Sequence, residues 1–151
     1  MYKATFKKGT VSRTHNQKKW HVSQISKATL NAITFHFHQT IQTKGWKLSW
    51  HLKKKANLTF SPEIIQRVLS TGDIIEYNET PQKYRKSRRI LLRNSHDTYK
   101  VSTNVGVTES NLCIVVDIDS GDVITAYWNA ANDNHKSINM RRYERTPLHF
   151  V

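Results

Sequence analysis

The chain has 151 residues, 37% of them hydrophobic, and a net charge of +13, which excludes a wholly disordered tail and leaves one domain with enough apolar material for a core. The charge is lopsided: twelve lysines and arginines but no acidic residue precede Glu63, and the remainder carries twelve cations against eleven acids. A one-signed field calls for an outside polyanion, and nucleic acid fits because lysine and arginine gain affinity by releasing phosphate counterions. No apolar run approaches the roughly 18 residues of a membrane helix.

Residues 2–7 alternate as a short strand does, and the first ten residues lack the apolar stretch of a secretory signal. The basic stretch 7–24 reads as a segment that orders on a partner. Over 23–41 two periods compete: Ile25, Leu30 and Ile33 suit a helix, while Ile33, Phe35, Phe37 and Ile41 alternate with His36, His38 and Thr40 as in a strand. Both readings stay open. Residues 46–55 are expected to form a helix carrying Trp46, Trp50 and Lys53 on one face. A second helix begins at Ser61 as N-cap, with Pro62 at N1, Glu63 in the first turn, Ile64, Ile65, Val68 and Leu69 facing inward and Gly72 at its end.

Residues 73–78 and 88–94 are predicted strands around a basic turn, and 95–110 read as a long loop. Residues 112–119 and 123–129 flank Asp-Ser-Gly-Asp as a hairpin. A two-residue loop at Ser120 and Gly121 predicts Val116 opposite Thr125 and Ile114 opposite Tyr127 on one face, with Cys113, Val115, Ile124, Ala126 and Trp128 on the other. The lone cysteine, Cys113, lies in an apolar run and reads as a core residue of a protein acting in a reducing, cytoplasmic compartment.

Cleaving RNA without a metal needs a base for the 2′-hydroxyl, an acid for the leaving 5′-oxygen and cations around the phosphorane. Histidine serves both proton roles near neutrality. His51 and Lys55 lie four apart, so a helix sets them on one side as an acid or base beside a phosphate ligand, with Lys53 and Lys54 adding charge. Taken alone, His51 reads more readily as an exposed residue of a basic, solvated helix. Arg89 and Arg93 share a strand face as a phosphate clamp or as a solvent-facing stripe. Thr125, Tyr127 and Asn129 offer hydroxyl and amide groups along another strand, although Tyr127 also reads as an ordinary sheet aromatic. His135, in an Asn-rich and Asp-rich loop, is either a proton-transfer group or part of a turn. Trp20, Trp46, Trp50 and Trp128 lie among lysines and suit base stacking, with Trp50 and Trp128 the more natural core residues. The pair His36 and His38 would project together from a strand, but no carboxylate nearby completes a metal set. No metal or cofactor is expected.

The order of basic helix, capped helix and strands, with residues 48–69 and 115–139 carrying the likeness, resembles the barnase, EndoU, colicin and RelE group of metal-independent ribonucleases, and its small toxin domains in particular. The likeness covers about half of the chain. Lys55 stands where that group commonly has arginine, which keeps the charge and loses the bidentate fork. The resemblance implies an α+β domain with two or more helices on a roughly four-stranded antiparallel sheet over residues 45–151, preceded by a basic extension over 1–44. It implies a toxin-type endoribonuclease with His51 and His135 in proton transfer, Lys55 and Arg93 on phosphate, and Thr125 and Tyr127 positioning RNA. An acidic antitoxin or immunity protein is the implied partner. The alternative is a nucleic-acid-binding regulator without catalysis.

Overall fold

The computed structural model describes residues 2–3, 17–50, 52–53, 60–104, 106–133 and 141–151. Among the described residues, two helices of more than two turns pack on one face of a mixed sheet. The strands are β1 (Tyr2–Lys3), β2 (Lys18–His21), β3 (Lys47–Leu48), β4 (Asp73–Pro81), β5 (Lys86–Arg93), β6 (Tyr99–Thr103), β7 (Gly106–Asp117) and β8 (Asp122–Ala130). The helices are α1 (Lys27–Lys44) and α2 (Pro62–Thr71). The fold is therefore α+β as expected, but the sheet is larger than four strands and not wholly antiparallel, its two-residue pairings β1–β6 and β3–β8 running parallel.

The 23–41 ambiguity resolves as a helix. Ser26 caps it by accepting the Thr29 amide, and Gly45, at φ 73°, ends it. Ile33 and Phe37 sit four apart and Thr40 three further on, so one stripe satisfies the helical period and turns into the core. His36 and His38 consequently diverge around the helix rather than projecting together. α2 follows its sequence signals closely: Ser61 Oγ accepts the Ile64 amide, Pro62 opens the helix, and Ile64, Ile65, Val68 and Leu69 are buried.

Four expectations are corrected. Residues 18–21, within the stretch expected to order only on a partner, form an edge strand paired with β4, Trp20 opposite Tyr77. The helix expected from residue 46 is preceded by β3, and its first turn starts at Ser49, whose carbonyl accepts the Lys53 amide at 2.9 Å. Residues 95–110 are not a loop: they contain β6 and the start of β7, polar strands whose one fully buried apolar side chain, Val101, gave little hydrophobic alternation. The β7–β8 hairpin exists, but its loop spans residues 118–121 and a bulge lies between Val115 and Val116. Thr125 therefore faces Val115 and Tyr127 faces Cys113, one residue off the expected register, which swaps Val115 and Cys113 to the other face.

The helix side of the sheet holds the main core. Trp20, Ile33, Phe37, Ile65, Val68, Tyr77, Ile90, Leu112, Ile114, Val116 and Trp128 form one cluster, so residues before and after position 45 share it. The opposite face has a small apolar centre, Ile75, Leu91 and Cys113 with Val115, surrounded by polar side chains.

Candidate nucleic-acid interface

Strand alternation builds this polar face. In β8 the residues that do not enter the core are Thr125, Tyr127 and Asn129, beside Val115, Cys113 and Asn111 of β7. In β5 they are Ser87, Arg89, Leu91 and Arg93, and in β4 and β2 they are Glu76, Asn78, Lys19 and His21. The register thus brings Arg89, Arg93, Thr125, Tyr127 and Asn129, five residues expected from sequence to meet RNA, onto one face away from the helices.

Their accessibility divides them. Thr125 is exposed, and Tyr127 is 38% exposed. Tyr127's accessibility belongs to its ring, because its hydroxyl meets the buried Cys113 thiol and burial raises the phenol pKa. Burial likewise pushes the Cys113 thiol up to about 12, against the lowering pull of Arg93 and the Tyr127 hydrogen bond. Arg89 is half-buried and donates to Ser87 Oγ at 2.9 Å, and burial lowers its pKa. Arg93 is 3% exposed: Nε and Nη2 donate to Asn111 Oδ1 at 3.1 and 2.8 Å, and Nη2 reaches the carbonyls of Ala130 and Ala131. These contacts make Arg93 a clamp on the end of β8. Asn129 acts at the same corner, its Nδ2 donating to the Asp133 carbonyl at 3.0 Å.

A second cluster was not anticipated from the sequence. Glu76 accepts the Tyr143 hydroxyl and lies 3.9 Å from Lys19 Nζ and 3.8 Å from Arg142 Nη2. Burial and the Glu76 carboxylate both raise the Tyr143 pKa. His21 stacks edge-on against Tyr143 with centroids 5.6 Å apart. Its Nδ1 accepts the Ser23 amide, so the neutral ring carries its proton on Nε2. Arg142 has a buried Nε–H without a hydrogen-bond acceptor. The polar alternation of Glu76, Asn78 and Thr80 around Tyr77 was the available signal; the apolar appearance of 73–78 hid it. The residues around this cluster also strap the C-terminal segment to β2: Glu144 N–H donates to the Lys19 carbonyl, and Trp20 Nε1 to that of Thr146, both at 2.7 Å.

Among the other expected residues, Lys53 is exposed, and His51, Lys54, Lys55 and His135 lie outside the described residues. Trp20 and Trp128 are core, but Trp50 is 72% exposed rather than buried. His36 hydrogen-bonds Asp119 on the far side of the hairpin turn, and no group of three metal-ligating side chains occurs among the described residues. The front-end cations spread out: Lys27 and Lys44 begin and end α1, separated by about 25 Å at 1.5 Å per residue. No helix among the described residues is long and apolar enough to cross a membrane. No protein-family model matches the chain, and neither the curated proteins nor the solved structures yield a match.

Proposed function

We propose that this protein is a metal-independent endoribonuclease of toxin type, related in fold to the barnase and RelE group, with RNA lying on the polar sheet face. The observation that carries the reading is the convergence of Arg89, Arg93, Thr125, Tyr127 and Asn129 on that face, with Thr125 and the Tyr127 ring accessible. The 2′-hydroxyl attacks the adjacent phosphorus and loses its proton to a base, the 5′-oxygen leaves with a proton from an acid, and a 2′,3′-cyclic phosphate and a 5′-hydroxyl result. His51 and His135 are the proposed proton-transfer pair. Lys53, Lys54 and Lys55 supply phosphate charge in the same proposal, Tyr127 and Thr125 position the ribose or base, and Arg93 with Asn129 holds the end of β8. The partner that restrains such an activity in the cytoplasm is an acidic antitoxin or immunity protein.

Purified protein incubated with total RNA in EDTA is expected to give discrete fragments ending in cyclic phosphate. His51→Ala and His135→Ala should each lower the rate at least about 100-fold, the usual worth of a general acid or base. Tyr127→Ala, which removes the accessible ring, should slow cleavage about tenfold, as the loss of one base-stacking platform does. Intact RNA after prolonged incubation would overturn the reading.

One observation favours a second reading, a nucleic-acid-binding protein without catalysis. The described acid–base side chains of the face, His21 and Glu76, are 5% and 4% exposed and tied into the strap of the C-terminal segment. In that case RNA survives the EDTA assay, yet gel retardation persists and weakens with salt.

A further inference from the structure

We infer that the β4–β5 hairpin is an arm that holds the flank of a single-stranded RNA, with the Arg89 guanidinium on one phosphate and Tyr84 at the tip stacked on one unpaired base; the inference rests on the RNA reading above. Residues 83–89 carry five cations. Three are paired: Arg85 with Asp117 at 2.8 Å, Lys86 with Glu79 at 3.2 Å and Arg88 with Asp119 at 2.6 Å. Lys83 and Arg89 have no carboxylate within 4.0 Å among the described residues. Arg89 is half-buried and uses its Nε, which donates to Ser87 Oγ at 2.9 Å, while the Ser87 hydroxyl gives its own proton to Asp117 Oδ2 at 2.7 Å. Asp117 is filled by Arg85, Ser87 and the amides of Asp119 and Ser120, so it positions Arg89 through the serine without neutralising it. The two Nη groups of Arg89 make no hydrogen bond among the described residues and are not enclosed, which leaves a planar fork of the shape that takes a phosphate bidentately.

The tip is held firmly and presents its aromatic outward. Pro81 pairs with Lys86, and the Gln82 amide donates to the Arg85 carbonyl at 2.9 Å, closing the loop of residues 82–85. Arg85 ties that loop to β7 and Lys86 ties it to β4. Tyr84 is 88% exposed, with the Lys83 ammonium 5.3 Å from its ring centre. A ring on a braced loop beside a cation suits a single strand, because every base has a face to stack and every linkage a charge to meet. Duplex RNA offers no unpaired face to such a ring. A membrane anchor needs an apolar face, which one ring among the exposed Gln82, Lys83, Arg85 and Lys86 does not provide. Register joins the arm to the proposed RNA face: Ser87 and Arg89 lie on it, and Arg85, by reaching Asp117 opposite Arg89, is drawn to the same side. Thr125 is two strands across and two residues along from Arg89, about 12 Å by the usual strand spacings. Tyr84 lies past Lys86, itself about 10 Å from Arg89 in the opposite direction along β5. One strand laid across Thr125 can therefore meet the fork first and the ring after it.

The test uses the full chain and a labelled octamer of 2′-O-methyluridine, which lacks the attacking hydroxyl and so reports binding independently of cleavage. Fluorescence anisotropy should show Tyr84→Ala weakening this octamer roughly 5- to 100-fold and Tyr84→Phe, which keeps the ring, binding close to wild type. A matched octamer that is abasic throughout should bind wild type and Tyr84→Ala alike. Arg89→Ala should weaken both octamers and flatten the slope of log K against log salt by about 0.7, whereas Arg89→Lys, with the charge but not the fork, should weaken both and keep the slope. Unchanged affinity of Tyr84→Ala for the uridine octamer, equal losses of that variant on both octamers, an unchanged salt slope in Arg89→Ala, or Tyr84-dependent binding to polyglutamate or phosphatidylserine vesicles in place of RNA would each overturn the arm. If RNA stays intact in the cleavage assay while the Tyr84 and Arg89 effects persist, the ribonuclease reading fails and the arm stands. If cleavage proceeds and Tyr84→Ala binds as wild type, the arm fails alone.

Discussion

Asp119 shows how a single carboxylate at a turn organises its surroundings. Arg88 grips it with Nε and Nη2 at 2.9 and 2.6 Å, and His36 Nε2 meets it at 2.7 Å. The Arg88 hydrogen bonds, followed by that of His36, hold its pKa at about 2 against the opposing effect of burial. A carboxylate whose folded pKa is depressed adds stability above its unfolded value of 3.8, and loses it as the pH falls toward 2. Thermal melts should therefore show wild type losing stability between pH 4 and 2 more steeply than Asp119→Asn, with the variant about 1 kcal/mol less stable at pH 7, a figure reduced for solvent screening. Glu76 presents the harsher case. Removing it by Glu76→Ala leaves the buried Lys19 and the partly exposed Arg142 without this carboxylate and the Tyr143 hydroxyl without its acceptor, and urea titration should register about 3 kcal/mol. Neither role was legible beforehand, because Asp119 read as part of a short turn and Glu76 as one residue of a short β-prone run.

Helices and turns tell how far local chemistry reaches. α2 was legible almost to the residue because its signals are all local: cap, proline, first-turn acid and an apolar stripe. Ser61→Ala should cost about 1 kcal/mol by thermal denaturation. α1 was ambiguous because Ile25, Leu30 and Ile33 fit a helix while Ile33, Phe35, Phe37 and Ile41 alternate with polar residues as in a strand, and only packing against the sheet chose. The hairpin register escaped for a similar reason: a bulge at Val115 and Val116 depends on cross-strand contacts and leaves no mark on composition. A close backbone approach sits at the same end. Gly121 has φ 79°, and a Cβ there would meet the Gly45 carbonyl oxygen at 2.2 Å, so the end of α1 can rest on the hairpin only while position 121 stays bare. Gly121→Ala should lose at least about 2 kcal/mol in urea titration, combining the left-handed backbone with that collision.

At the scale of the whole molecule, the sequence conveyed the class and the cationic imbalance but not the breadth of the sheet, since its edge strands are polar and barely distinguishable from loops. It also suggested a single basic front, whereas α1 carries Lys27 and Lys44 to opposite ends and β2 holds Lys18 and Lys19 on another edge. RNA binding should accordingly involve only part of the surplus. With about four to six phosphates engaged, log K should fall against log salt with a slope of roughly −3 to −4 for a single strand; a salt-independent affinity would argue for recognition by another means. The sheet also carries its own clock. Cys113 is the chain's one thiol, wholly enclosed and held in its unreactive protonated form beneath Tyr127. A maleimide or disulfide reagent can reach it only when β7 and β8 part, so the labelling rate counts those openings molecule by molecule. Any guest seated across Thr125 and Tyr127 must slow that count, giving a measure of occupancy that asks nothing of catalysis.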